Sequence, residues 1–417
     1  MSSFVGIDFG TSGARLMVID ARKHIRFETA IAFASEDATS PKVWRDSLFN
    51  LLGAIPPRLK TTVERIAIDG TSATVMICDP DGSPLAPPQM YCDRGRPEVL
   101  EQLGQIAPSN HIVLSLSSSL CKYLSWASDK FFEQAHLLLH QADWLAAQLH
   151  GQWGVSDYHN SLKLGFDPLR LQYPDWFSQI LDCSKLPKPL KPGARVNTVR
   201  QWVAKELDLP TTAEICAGTT DSIAAFLASG ACRIGDAVTS LGSTIALKLL
   251  SERRVDSLVH GVYSHWFGKD RWLVGGASNA GGAVLSQLFA PAELEELSRE
   301  VNWSRPVAHS YVPLTKTGER FPINDSNLEP CLEPRPDSSA EFLQGILTSL
   351  TQVEFTGYEC LVELGASPIQ QIFTAGGGTR NLGWMEWRKT QANVPVVLSE
   401  QPEAAYGAAL LALQPLM

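Results

Sequence analysis

The sequence predicts an α/β protein built from two like domains, and three observations carry that expectation. The chain has 417 residues, 44% of them hydrophobic, which is enough to bury two separate cores. VGIDFGTSGARLMVID (5 to 20) reads as apolar strand, small polar turn, apolar strand, and AVTSLGSTIALKLL (237 to 250) repeats that pattern. Gly10 and Gly242 open the two turns. Their spacing, near half the chain, fits a duplicated domain, since solenoid periods are much shorter.

The elements follow in order. Gly10-Thr11-Ser12-Gly13 is too small and polar to pack a core and reads as a hairpin turn whose glycines permit positive φ. ERIAIDGTSATVMICDPDGSPL (64 to 85) reads as strand, turn, strand and an Asp-Pro-Asp-Gly turn. Residues 120–150 carry Trp and Leu at three-and-four spacing and are expected to be helical, ending before Gly151. KLPKPLKPGARV (185 to 196) reads as an irregular connector, followed by a helix over Val199–Leu207. IFTAGGGTRNLGW (372 to 384) is a strand running into three glycines and then a helix, and EAAYGAALLAL (403 to 413) is an Ala-rich closing helix. The expected boundary lies at 223, with residues 1–223 and 224–417 as the two domains.

Composition excludes several classes. Net charge is −9 with no basic block, so nucleic acid and anionic membrane are not expected partners. The eight cysteines are scattered without a Cys-x-x-Cys, as in a reduced cytoplasmic protein. MSSFVGID leaves no room for a signal peptide, and no apolar run reaches membrane-spanning length, so the expectation is a cytoplasmic protein. His136 and His140, in HLLLH, share one face of a helix, but a core-edge helix outweighs half a metal site.

The chemistry starts at Asp8. It interrupts an apolar strand just before the Gly10–Gly13 turn, where burying an unpaired carboxylate is costly. Exposed backbone N–H groups, hydroxyls and a fixed carboxylate are what a metal-bound phosphate needs. A simple hairpin with an acid at its rim is the competing reading. Three loops qualify as phosphate or nucleotide cradles: 10–13, 242–244 and 376–381. Neither G-x-x-x-x-G-K-S/T nor G-x-G-x-x-G occurs, which excludes a P-loop or dinucleotide-binding protein on motif grounds.

DFGTSGAR, SLGST and GGGTRN resemble the phosphate-1, phosphate-2 and adenosine motifs of the actin-like ATPase superfamily. Within it the chain resembles the FGGY-type carbohydrate kinases, closest to ribulose and xylulose kinases. GVSDYHNSLKLGFDP resembles the family's Ser-Asp-x-x-Asn stretch, AGTTDS its catalytic-aspartate segment, and GERFP its Gly-Glu-Arg-x-Pro loop. The resemblance implies two ribonuclease-H-like domains with a central ligand cleft. It implies ATP and Mg²⁺, with the sugar held mainly by the N-terminal domain.

It also implies roles. Asp221 is the general base, with a helix cap as the competing reading. Asp8 holds Mg²⁺ through water. Gly10, Thr11, Ser12 and Gly13 meet phosphate, and Gly242, Ser243 and Thr244 cradle phosphates from the second domain. Gly376, Gly377 and Gly378 let backbone approach the nucleotide, and Gly281 and Gly282 wall the adenosine pocket. Arg15 either balances Asp8, touches phosphate or is a plain strand arginine. Asn381 either bonds the nucleotide or caps a helix.

For the sugar, Asp69-Gly70-Thr71-Ser72-Ala73-Thr74 departs from the Ser-Gly-Gln-Met-His-Gly run of many xylulose kinases and is similar to the ribulose type. Asp69, Thr71 and Ser72 are expected to meet sugar hydroxyls together with Asp221, while Ala73 and Thr74 read as plain turn residues. MYCDRGRP replaces the family's Trp-x-Asp-x-Arg: Asp93 remains, Tyr91 stands for Trp, and Gly95 takes the Arg position. Trp44 reads as a buried structural residue rather than a sugar platform. D-Ribulose phosphorylated at O5 is the favoured reading. Xylulose kinase and an actin-like sugar-responsive ATPase without transfer are the alternatives. A monomer or homodimer is expected.

Overall fold

Alternating apolar residues in SFVGIDF put Val5, Ile7 and Phe9 on one face of strand β1 (Ser3–Phe9) and Phe4 and Gly6 on the other. β1 is the centre of the first sheet. The structure, a computed structural model, describes residues 2–34, 37–307 and 309–416. The chain divides into one unit of residues 1–228 plus 403–417 and another of residues 229–402.

In the first unit β1 turns through Gly10–Gly13 into β2 (Gly13–Asp20), which pairs antiparallel with β1 and with β3 (Ile25–Ala32). β4 (Val63–Gly70) lies parallel to β1 on its other side. β5 (Val75–Cys78) pairs with β6 (Leu137–His140), and β7 (Val155–Asp157) with β8 (Lys188–Leu190). β9 (Arg195–Thr198) and β10 (Glu214–Cys216) complete the main sheet, in the order β3-β2-β1-β4-β10-β9, and the two-residue β11 (Thr219–Thr220) pairs with β4.

One face of this sheet is covered by the helices Pro41–Gly53, Gln141–His150 and Gln201–Leu207. Val5, Ile7, Phe9, Ile66 and Ile68 pack there against Trp44, Leu48, Leu145 and Val203. Ser40 caps the first of these helices, and Pro41 occupies its first turn, where no N–H is missed. Trp44 is fully buried and donates its indole N–H to Ala38 O, so it is structural. The opposite face carries the helix Ala404–Leu413, which also packs on the helix Asp221–Ala228. The approach is close: a Cβ on Gly6 would sit 2.1 Å from Ala405 O, and one on Gly407 would sit 1.8 Å from Ala224 O. The sequence reading placed residues 224–417 in the second domain. The helix Ala404–Leu413 instead belongs to the first unit, because its Ala/Gly faces fit only against β1 and the helix that Asp221 begins.

The second unit repeats the plan. β12 (Asp236–Leu241) forms a hairpin with β13 (Ile245–Ser251), β13 pairs with β15 (Trp272–Ala277), and β14 (Tyr263–Trp266) adds an edge. β16 (Gln371–Ala375) and β17 (Val396–Leu398) lie parallel on the far side of β12. The order β14-β15-β13-β12-β16-β17 follows the first sheet, an antiparallel arm on one side of β12 and parallel strands on the other, with β14 as an added edge here and the antiparallel β9 as an added edge there. The 25-residue helix Ser339–Glu363 packs on β13 and β15. Its fully buried Glu354 pairs with fully buried Arg388 of the helix Leu382–Gln391.

Two local expectations change. Residues 120–150 are not one helix: a helix covers Ser119–Ser125, β6 covers Leu137–His140, and a second helix begins at Gln141. His140 lies on a strand, where it bonds Asp143 at 2.9 Å and Ser119 at 3.2 Å. An apolar run of three leucines has no readable period, and β5 supplies the partner that makes it a strand. The Pro-rich connector contains β8 and the start of β9. Among the described residues no helix is long and apolar enough to cross a membrane.

Candidate active site

In the first unit the strand register gathers carboxylates. Asp8 on β1 is paired in register with Asp69 on β4, and β11 sets Thr219 beside Asp69 and Thr220 beside Gly70. The next residue is Asp221, first in its helix. All three acids therefore stand at the carboxyl ends of neighbouring parallel strands, where open α/β sheets bind ligands.

Asp69 is fully buried, and no N–H or O–H donor among the described residues reaches either of its oxygens. Its hydrogen-bond neighbour is the Asp8 carboxylate, which can engage it only when one of the two is protonated. Burial, then the charge of Asp8, then that of Asp221 push the Asp69 carboxyl well above the usual carboxylate range. Burial raises Asp8 as well, opposed by Asp69 and the Arg15 guanidinium. Asp69, expected to touch sugar, has 0% exposure and is paired in register with Asp8.

The 10–13 turn is closed by Gly10 N donating to Gly13 O at 3.0 Å, with Thr11 and Ser12 exposed. Gly13 is required by packing, since its Cβ would meet Ile31 O at 2.3 Å, whereas Gly10 has room for a Cβ. Arg15 lies opposite Asp8 in the β1–β2 register and pairs with Glu403, the residue that precedes the helix Ala404–Leu413.

Asp221 Oδ1 accepts from Ser222 N at 2.7 Å, so the carboxylate partly caps its own helix. A buried network behind it holds β11. Thr219 Oγ1 lies 2.7 Å from His159 Nδ1, and Asn160 Nδ2 donates to Thr219 O at 3.1 Å and to Asp157 Oδ2 at 2.6 Å. The Ser-Asp-x-x-Asn stretch thus supports the strand that delivers Asp221.

The 71–74 turn sits beside this cluster. Gln141 Oε1 accepts from both Thr71 N and Thr71 Oγ1 at 3.0 Å, and Ala73 takes φ 62°. Ser72 is half-buried. Asp93 is exposed, and its Oδ2 accepts from Met90 N at 2.7 Å.

In the second unit the glycine loops converge. A Cβ on Gly281 would meet Ser243 O at 2.6 Å, and Gly282 N donates to Gly242 O at 2.8 Å. Gly376, at φ 93°, lies against Leu241 O, and Gly378 against the Leu241 side chain. The 242–244, 281–282 and 376–378 segments therefore form one patch at the end of β12, and a Cβ on Gly377 would find nothing within 4 Å. Asn381 caps its helix by accepting from Trp384 N at 3.0 Å, and its Nδ2 donates to Ser298.

Residues 237–414 match the model of the FGGY family of carbohydrate kinases, C-terminal domain. That segment, which runs from β12 to the closing helix, is similar to the family's C-terminal domain. The sugar kinase YoaC of Bacillus subtilis is 22% identical to this chain over 71% of it, a match that spans 64% of that protein's length. The xylulose kinase of Haemophilus influenzae is 21% identical over 98% of the chain and 90% of the relative. Among solved structures, the ligand-bound xylulose kinase of Lactobacillus acidophilus superposes with a TM-score of 0.87 at 16% identity, covering 99% of this chain and 89% of that one. The fold of two sheet-based domains expected from the motifs is shared by this chain and that solved structure.

No group of three His, Cys, Asp or Glu side chains among the described residues forms a metal cage. The donor set nevertheless fits Mg²⁺, which takes one or two carboxylates and fills its shell with water and phosphate oxygens. An under-donated carboxylate pair such as Asp8 and Asp69 suits a cation better than it suits an apolar core.

Sequence reasoning missed two polar groups of the first unit. Gln141 fastens the 71–74 turn. Lys122, fully buried, donates from Nζ to Ala73 O at 2.9 Å and to Met90 O at 2.6 Å. The signal for Lys122 was its setting: one cation in SLCKYLSW, flanked by Leu120, Cys121 and Tyr123.

Proposed function

We propose that this kinase transfers the γ-phosphoryl group of ATP to the terminal hydroxyl of a ketopentose, with D-ribulose going to D-ribulose 5-phosphate. The observation that carries the reading is the alignment of Asp8, Asp69 and Asp221 at the carboxyl ends of three paired strand segments.

Asp221 takes the proton of the attacking hydroxyl. It stands first in its helix, directly after β11. Asp8 holds Mg²⁺ through water, and that ion supplies charge neutralisation on the phosphates when bound. Thr11 and Ser12 offer hydroxyls, and the 10–13 turn offers backbone N–H groups to the same phosphates. Gly242, Ser243 and Thr244, with Gly281, Gly282 and Gly376–Gly378, receive the nucleotide; Asn381 acts by holding its loop to the helix. Thr71, Ser72 and Asp93 face the sugar. The Asp8–Asp69 pair favours cation binding, because a divalent ion would relieve the repulsion between two buried carboxylates.

Xylulose is the second reading, favoured by the names of the relatives. The short hydroxyl side chains at 71 and 72 favour ribulose. A coupled ADP-release assay against D-ribulose, D-xylulose, L-ribulose and L-rhamnulose separates them. Stimulation by D-ribulose above the others supports the proposal, and preference for D-xylulose reverses the ranking. ATP hydrolysis that no sugar stimulates points to the ATPase alternative.

A further inference from the structure

Lys122 is a cation at 0% exposure that no carboxylate among the described residues pairs with. Such a charge is costly to bury. Two backbone carbonyls compensate it, and they belong to two separate segments. Ala73 O closes the turn that presents Thr71 and Ser72. Met90 O opens the turn that Asp93 braces through Met90 N. A second stitch joins the same segments, with Tyr91 N donating to Thr74 Oγ1 at 3.0 Å. The far side of the first turn is fixed by Gln141. The lysine is the cation that links the two segments, and charge-assisted bonds are the stiffer kind.

We propose that Lys122 is a positioning residue that sets the separation between the 71–74 turn and the 90–93 loop, and through it which ketose the enzyme accepts. The proposal rests on the reading of Thr71, Ser72 and Asp93 as the sugar-facing groups. The lysine does not touch the sugar. It fixes the gap into which the hydroxyls of the substrate must fit, where a small misplacement is expensive.

The ionisation of Lys122 supplies an independent handle. Burial first, then the like charge of Lys163, bring its amine down to about 8, against the opposing pull of Asp93, Cys92 and Cys121. Above that pH the two bonds lose their charge assistance.

The test compares Lys122→Met, which keeps the stem and removes both bonds, with wild type on D-ribulose and D-xylulose. The expected result is a rise of about tenfold in sugar KM, an ATP KM within about twofold, and a changed ratio of kcat/KM between the two ketoses. An unchanged sugar KM and ratio overturns the proposal, whatever the change in melting temperature. Should the variant not fold, the wild-type pH profile decides. kcat/KM for sugar should fall above about pH 8 in both wild type and Cys92→Ser, with ATP KM flat. A profile flat up to about pH 9.5 overturns it. Ser72→Ala and Asp93→Asn distinguish the two levels. If they raise sugar KM while Lys122→Met does not, the positioning role alone fails; if none of the three moves it, the sugar-site reading fails and the proposal falls with it.

Discussion

Asp8 and Asp69 face each other in register across β1 and β4, and the deeper carboxyl has no N–H or O–H donor. Two acids in one low-dielectric site cannot both ionise cheaply. The folded chain keeps a proton on Asp69 to a higher pH than the unfolded chain does. Over that interval the native state binds more protons than the unfolded state, so this group's contribution to stability falls as pH rises from about 4. Asp69→Asn should therefore be more stable than wild type at neutral pH, with the gap closing below about pH 4. Urea midpoints across that range check it. An asparagine variant less stable at neutral pH, or a gap that ignores pH, contradicts the assignment.

The same pair predicts the metal dependence. Asp8→Asn should weaken the Mg²⁺ requirement curve and lower kcat by about 10²–10³-fold, the usual cost of losing one preorganised electrostatic group. Magnesium titrations of turnover at fixed ATP provide the measurement. Full activity at wild-type Mg²⁺ concentrations would remove Asp8 from the metal site.

Asp221 caps its helix through Ser222 N, and the predicted base function can be separated from that. Asparagine caps about as well as aspartate but cannot take a proton. Asp221→Asn should fold with an unchanged melting temperature, retain nucleotide binding, and lose about 10²–10⁴ in kcat. Near-normal turnover in that variant would leave Asp221 a cap and nothing more.

Much of this was legible in the sequence where a local pattern speaks for itself. β1, its turn and β2 follow from two apolar runs around four small residues. Asp8 stands out because a carboxylate is expensive inside such a run. The glycine clusters at 242, 281 and 376 are equally plain, though not that Leu241 meets the 376–378 loop while Gly242 and Ser243 meet Gly281 and Gly282. What stayed hidden depends on distant partners. Gly6 and Gly407 look like ordinary small residues until the last helix is laid across β1. HLLLH has no period to mark it as a strand. Lys122 looks like any helical lysine, and its burial is decided by the carbonyls of residues 73 and 90. Asp69 resembles its neighbours Thr71 and Ser72 in sequence, but strand alternation sends it inward beside Asp8.

The glycines of the proposed nucleotide patch split into two kinds, and alanine substitution should tell them apart. Gly376 has φ 93° and a Cβ there would meet Leu241 O at 2.5 Å, so Gly376→Ala should destabilise the fold by more than about 1 kcal/mol. Gly377 has open space for a Cβ. Gly377→Ala should leave thermal stability unchanged or slightly raised and increase the ATP KM, because the methyl group occupies space reserved for ligand. Paired thermal melts and ATP titrations separate the cases. An ATP KM unaffected by Gly377→Ala would place the nucleotide elsewhere.

Behind that patch lies the fully buried pair Arg388–Glu354. Arg388 Nε donates to Glu354 Oε2 at 2.6 Å, and its Nη1 donates to Thr374 Oγ1 at 2.7 Å, on β16 just before the 376–378 loop. Glu354 in turn accepts from Thr239 on β12, whose hydroxyl also meets Tyr358. β12 and β16, which end in the glycine loops, are thus tied to two helices through one ion pair. Removing the cation alone strands a buried carboxylate, so Arg388→Met should cost about 3–5 kcal/mol. Replacing both partners, Arg388→Met with Glu354→Leu, removes the uncompensated charge and should recover most of that loss. Chemical denaturation of the two variants decides it. A double variant as unstable as the single one would mean that the hydrogen bonds to Thr239 and Thr374, and not the pairing of charges, hold these strands in place.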